Sequence, residues 1–174
     1  MTRRLILSVA AIALGVVTTT TGALAQQKPL KDQIVGTWSL LLVDNMRADG
    51  TRVPAYGPNP KGTVIFTADG HYSLQIMRDV RPKFASNNRE AGNPDEYKAA
   101  VHGMISHFGT YSINEADKTL NLRIAGSSFP NWDETSQKRT ITALVGDDLT
   151  WTNPTPSTAP AGNARAELAW RRVK

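Results

Sequence analysis

Gly62-Thr63-Val64-Ile65-Phe66-Thr67-Ala68-Asp69-Gly70-His71-Tyr72-Ser73-Leu74-Gln75-Ile76-Met77-Arg78 is the stretch whose reading decides the fold class. A β-branched run meets a short turn, Ala68-Asp69-Gly70, and a second run returns from it. That order predicts an antiparallel hairpin closed by a glycine-containing turn. In the returning run Tyr72, Leu74, Ile76 and Arg78 share one face and Ser73, Gln75 and Met77 the other. Both faces are partly apolar, so alternation alone does not choose the inward one.

Toward the N-terminus, Val53 to Lys61 carries Pro54, Pro58 and Pro60 and reads as loop or irregular edge. Before it, Ile34 to Asn45 reads as the first strand, with Trp38, Leu40 and Leu42 on one face, followed by the turn Ala48-Asp49-Gly50. Toward the C-terminus, Pro82 to Asn93 is a polar loop and then the period changes. Tyr97, Ala100, Val101, Met104, Ile105 and Phe108 fall on one helical face. Asn93 suits the cap, Pro94 the first helical position, Asp95 and Glu96 the positive end, and Gly109 the stop.

Strands resume at Thr110–Asn114, Thr119–Ala125, Lys138–Val145, Leu149–Asn153 and Arg165–Val173, with loops at Ser127–Ser136 and Pro154–Asn163. The expectation is an all-β domain of about eight short antiparallel strands with one inserted α-helix. Closing such a sheet into a barrel removes its edges and leaves an interior that side chains or a small ligand fill. A β-sandwich is the alternative that the pattern alone leaves open.

Two further features resemble a known family. Gly36-Thr37-Trp38 stands as G-x-W at the head of the first strand, and Trp170-Arg171-Arg172-Val173 ends the last. The order I-V-G-T-W-S-L, Y-G-P-N-P-K-G-T-V-I-F-T-A-D-G-H-Y-S, R-x-x-R-P, F-G-T-Y-S-I, F-P-N-W, Q-K-R and W-R-R-V, running from Ile34 to Val173, is similar to the lipocalin-like domain family of small stand-alone bacterial and fungal proteins, with a calycin-type barrel. The resemblance implies that Trp38 plugs one barrel end and that Arg172, which shares strand parity with Leu168 and Trp170, packs on its indole. Both are expected to be structural. The chain departs from the family pattern in Leu120-Asn121-Leu122-Arg123-Ile124, where that pattern carries histidines, so no role of those histidines is carried over.

The first residues read as an address. Met1-Thr2-Arg3-Arg4 precedes an apolar run, Leu5 to Val17, and Ala23-Leu24-Ala25 forms an A-x-A site. This predicts a signal peptide over 1–25, cleavage after Ala25, a lipocalin-like barrel domain over 26–174, and a periplasmic or secreted protein. Thirteen apolar residues make about 20 Å of helix, short of the ~30 Å hydrocarbon core, and no stable membrane span is expected after cleavage. Loss of Arg3 and Arg4 leaves 18 basic residues against 15 acidic, a net charge of +3. That mild charge on an exported chain gives no reason to expect nucleic acid as a partner.

Reactive chemistry is sparse. There is no cysteine, hence no disulfide and no thiolate metal site. His102 and His107, both placed on the expected helix, would lie about 140° apart around its axis and would not converge on a metal. His71 beside its turn reads as a surface residue. Ser106 and His107 are neighbours whose side chains would diverge, Asp133 and Glu134 share one loop, and neither a G-x-S-x-G elbow nor a phosphate or dinucleotide loop occurs. No catalytic residue, metal or cofactor is expected. The aromatics outside regular strands, Tyr56 and Trp132, are expected to pack as lids at the barrel mouth. With Tyr72, Arg78, Arg139 and Trp151 they make the expected ligand-binding set, Arg78 as part of a polar rim. The expected function is binding or sequestering a small apolar or amphipathic ligand. The alternatives are a cofactor-independent isomerase or cyclase using the same cavity, and a structural or envelope-interaction domain with a filled barrel.

Overall fold

The computed structural model describes residues 28–158 and 164–174; the expected signal peptide, its cleavage site and the end of the Pro154–Asn163 loop lie outside them. The chain opens with a single helical turn, α1 (Leu30–Ile34), and runs into β1 (Gly36–Arg47), a three-residue edge strand β2 (Arg52–Pro54), and the hairpin β3 (Lys61–Phe66) and β4 (His71–Met77). Helix α2 (Pro94–His102) follows, then β5 (Met104–Asn114), β6 (Thr119–Ser127), a 3-10 turn at Pro130–Trp132, β7 (Ser136–Val145), β8 (Asp148–Asn153) and β9 (Ala164–Arg172).

All neighbours in the sheet are antiparallel, in the order β2-β1-β3-β4-β5-β6-β7-β8-β9, and β9 pairs back onto β1. Eight strands therefore close into a barrel, as the turn spacing predicts. The short β2 pairs Asp44–Met46 of β1, beyond the point where β3 has left that strand. The proline-bearing segment is thus an edge strand for three residues only.

The inward face is set by alternation. Tyr72, Leu74 and Ile76 of β4 are buried, which resolves the choice that the sequence leaves open. On β1, Trp38 and Leu40 point inward, but the register shifts between Leu40 and Leu42 in the pairing with β9. Past that bulge the buried residue is Val43, not the Leu42 that simple parity expects.

The helix is shorter than its period suggests. It ends at His102 with Gly103 donating to the Ala99 carbonyl at 3.0 Å, and Met104, Ile105 and Phe108 belong to β5. Pairing with β4 over Met104–Thr110 outweighs the coincidental helical spacing, and Gly109 is no helix stop. It sits at a bulge where a Cβ would approach the Arg123 carbonyl oxygen to 2.0 Å. The N-terminal signals do hold. Asn93 Oδ1 accepts from Glu96 N at 3.0 Å, and Asn93 N donates to Glu96 Oε2 at 2.9 Å, a reciprocal capping box. Capping and the edge-on stacking of Phe84 against Tyr97 hold α2 in place, since none of its residues is buried.

One end of the barrel is plugged. The Trp38 indole is wholly buried, its Nε1 donates to the Ile34 carbonyl at 2.8 Å, and the Arg172 guanidinium carbon lies 4.1 Å from the ring centroid. Arg172 also donates to the carbonyls of Val35 at 2.8 Å and Gln33 at 2.6 Å, tying α1 across this end. Glu115 completes the tie by accepting the backbone N–H groups of Leu30 and Lys31, each at 3.0 Å. No helix among the described residues is long and apolar enough to cross a membrane.

Candidate functional site

Away from the plug, toward the other end of the barrel, the packing of the interior is incomplete. A cavity of about 40 Å³ lies among Val43, Leu74, Ile76, Ile105 and Leu168 from the strands, with Tyr56, His107, Trp132, Arg139 and Trp151 supplying its polar and aromatic wall. A water needs roughly 10–15 Å³ of such space, so a few waters fit as it stands.

Of the six residues expected from sequence, Tyr56, Trp132, Arg139 and Trp151 stand on this wall. Tyr56 leaves β2 into the loop before β3 and is buried, which raises its phenol to about 12 against the opposing influence of a Ser157 hydrogen bond and the nearby Arg78 charge. Trp132 projects from the 3-10 turn and meets His107 edge to face at 5.7 Å, with Phe129 behind it at the same centroid distance. Trp151 of β8 is fully buried between Trp170, 5.1 Å away, and Phe66, 6.2 Å away.

The other two expected residues lie off the wall. Tyr72 is one side chain removed, its Oη sharing a 2.9 Å hydrogen bond with His107 Nδ1. Arg78 turns its Nη2 to the Ala55 carbonyl at 3.0 Å, so it braces the Tyr56 loop from outside the cavity.

Among the wall residues that the expected set lacks are two buried polar ones, His107 and Asn153. The helical spacing puts His107 on the helix; in β5 it instead alternates inward with Ile105 and Tyr111 and is 3% exposed. The available signal was the run Ile105-x-His107-x-Gly109-x-Tyr111, which has a two-residue period. Asn153, at the end of β8, is buried and turns the chain there by accepting the Thr155 N–H at 3.0 Å. His71, by contrast, is the surface residue expected, 3.3 Å from Asp69.

The electrostatics of the site follow from burial. Desolvation first, and the Arg139 charge second, push the His107 imidazole down to about 3, so it is neutral at pH 7. Burial raises the Tyr72 phenol well above its ordinary value, only partly offset by Arg139. The pair is held in its neutral hydrogen-bonded form and presents neither a strong base nor a strong acid at neutral pH. Arg139 is 4% exposed; burial lowers its guanidinium to about 10, which leaves it cationic at pH 7. Among the described residues no group of three or more His, Asp or Glu side chains is arranged to hold a metal ion. The arrangement suits recognition of a molecule with an apolar body and a polar head.

A family model described as "Lipocalin-like domain" matches residues 35–173. The 4'-hydroxy-3'-methoxypropiophenone carrier protein ppsC of Aspergillus oryzae (strain ATCC 42149 / RIB 40) is 25% identical over 107 residues, which are 58% of this chain and 96% of that protein. Among solved structures, a redesigned beta barrel aligns over 83% of this chain and 95% of its own with a TM-score of 0.43 and 13% identity, a likeness too distant to bear on function.

Proposed function

Because the chain belongs to the lipocalin-like domain family, we propose that it binds a small apolar or amphipathic molecule in the unplugged end of its barrel and carries or sequesters it outside the cytoplasm. The observation that carries this reading is the cavity itself. Its floor is aliphatic, its wall aromatic, and its polar groups few and convergent, which is the usual make-up of a small-molecule site. Trp132 is half-buried on a short turn rather than on a strand, so rotation of its indole enlarges the space at little cost to the sheet. The similarity to a carrier of a phenolic aryl ketone supports an aromatic ligand of that size.

Against the filled-barrel alternative stand Arg139 and His107, polar groups that are costly choices for an interior meant only to be packed. Burial of about 300 Å² of apolar ligand surface contributes a gross ~7 kcal/mol, and losses of motion and polar desolvation bring the net into the micromolar range. Export is read from Met1 to Ala25, and the mature protein is expected to start at Gln26.

Two measurements test the proposal. Titration of the purified protein with 4'-hydroxy-3'-methoxypropiophenone and related aryl ketones, followed by calorimetry, is expected to give saturable one-to-one binding that is lost in Trp151→Ala and weakened in Trp132→Ala. No binding by any of them, together with a melting temperature indifferent to a wider library of apolar compounds, overturns it. The intact mass of protein recovered from the periplasm or medium tests export; a mass that retains residues 1–25 refutes cleavage.

A further inference from the structure

Arg139 is the one arginine among the described residues that is buried in the barrel interior, and it is there without an anion. Its hydrogen-bond partners are the Lys138 carbonyl at 2.9 Å and the side-chain oxygen of Gln137, both neutral. The arginines that do have carboxylates are elsewhere: Arg52 with Asp44 and Glu167, Arg89 with Glu90, Arg171 with Asp148 and Arg172 with Asp147. No acid can reach Arg139 from the undescribed stretches either, because 1–27 and 159–163 contain no Asp or Glu.

A buried cation without an anion is costly to hold out of water, and an anion that enters with a ligand relieves that cost. The charged group of this wall thus asks for an anion.

We propose that Arg139 is the counter-ion for the carboxylate of a small monocarboxylic acid whose apolar body lies against Trp132, Trp151 and Ile76. The planar guanidinium matches a carboxylate with two parallel N–H donors, a geometry that neither an alcohol nor an ammonium-bearing side chain reproduces. This assignment rests on the carrier reading given above and narrows it to a ligand class.

Calorimetry with three matched pairs tests it: benzoate with benzyl alcohol, cinnamate with cinnamyl alcohol, and octanoate with octanol, each against the wild type and Arg139→Met. In the wild type the acid of the best-bound pair is expected to bind about tenfold or more tightly than its alcohol, the ratio that one charge-assisted contact confers. In Arg139→Met the acid is expected to lose that advantage, so that the two bind alike. Equal binding of acid and alcohol by the wild type overturns the assignment and leaves the carrier reading standing, as does a preference that survives in Arg139→Met. Failure of all six to bind the wild type overturns this assignment, and the aryl-ketone titration above then decides the carrier reading separately. If Arg139→Met does not fold, the wild-type ratio decides alone, and a value near one is the refuting result.

Discussion

Gly36 lies directly beneath the Arg172 guanidinium: a β-carbon at position 36 would come within 2.7 Å of Nη1. The same residue has φ of +132°, a conformation that side-chain-bearing residues rarely adopt. The G-x-W signature is therefore one mechanical unit with the last strand. Glycine leaves the gap, arginine enters it, and the indole two residues on receives the cation. Gly36→Ala is accordingly expected to lose both backbone and contact, about 2 kcal/mol or more. Urea denaturation followed by tryptophan fluorescence measures this, and a midpoint equal to the wild type would show that the arginine does not need the gap.

Arg172→Lys tests the other half of the unit. Lysine keeps the charge but cannot place a planar fork over Trp38 while reaching the carbonyls of both Val35 and Gln33. The expected cost is about 1–3 kcal/mol, from partial loss of the stacking and of charged hydrogen bonds. Since those carbonyls belong to α1 and its exit, amide exchange should accelerate at Leu30–Ile34 more than in the β3–β4 hairpin. Uniform acceleration across the barrel would contradict the role assigned to Arg172.

Much of this was readable from the chain alone, for reasons that differ by element. Hairpin β3–β4 was legible because its turn and its alternation are local, and the plug because Gly36, Trp38 and Arg172 each have a side-chain chemistry that fits one purpose. The Asn93 cap was legible for the same reason. What misled was periodicity where two elements abut. Tyr97, Ala100 and Val101 are helical, Ile105 and Phe108 are in a strand, and the joint at Gly103 happens to preserve a helical spacing across both. His107 was lost in that error, and with it the Tyr72 contact. The bulge at Leu40/Leu42 was equally invisible, since only pairing with β9 imposes it. Tyr56, Trp132, Arg139 and Trp151 could be suspected from size and type, but their convergence is a property of the closed sheet.

Tyr72→Phe isolates the hydrogen bond on which His107 depends. The substitution keeps the ring, its packing on Phe66 and its contact with the imidazole, and removes only the hydroxyl. Nδ1 is then left without the 2.9 Å partner in a buried site, a loss of about 1–3 kcal/mol. The double variant Tyr72→Phe with His107→Phe should recover part of it, because both polar groups are then gone. A double variant less stable than the sum of the singles would count against a coupled pair.

His107 should also set part of the barrel's response to acid. Its folded value of about 3 lies far below the ~6.5 of an unfolded-chain histidine, so between the two the unfolded chain takes up a proton that the barrel refuses. The contribution is complete above about pH 6.5 and falls as the solution is acidified, by about 1.4 kcal/mol per unit. On this order of magnitude about 3 kcal/mol has gone by pH 4.5. The carboxylates held low by their neighbours, Asp49 by Thr51, Asp69 by Thr67 and His71, Glu96 by the backbone N–H groups of Ala85 and Asn93, and Asp147 by Lys174, titrate in the unfolded chain near 4 to 4.5 and add their slope mainly below that window. His107→Gln retains a hydrogen-bonding partner for Tyr72 and cannot titrate. Urea-derived stabilities at half-unit steps from pH 7 to 4.5 are expected to slope down in the wild type and to run nearly level in His107→Gln, with His71 and His102 common to both. Parallel curves would mean that the imidazole is reached by water and protonates in place.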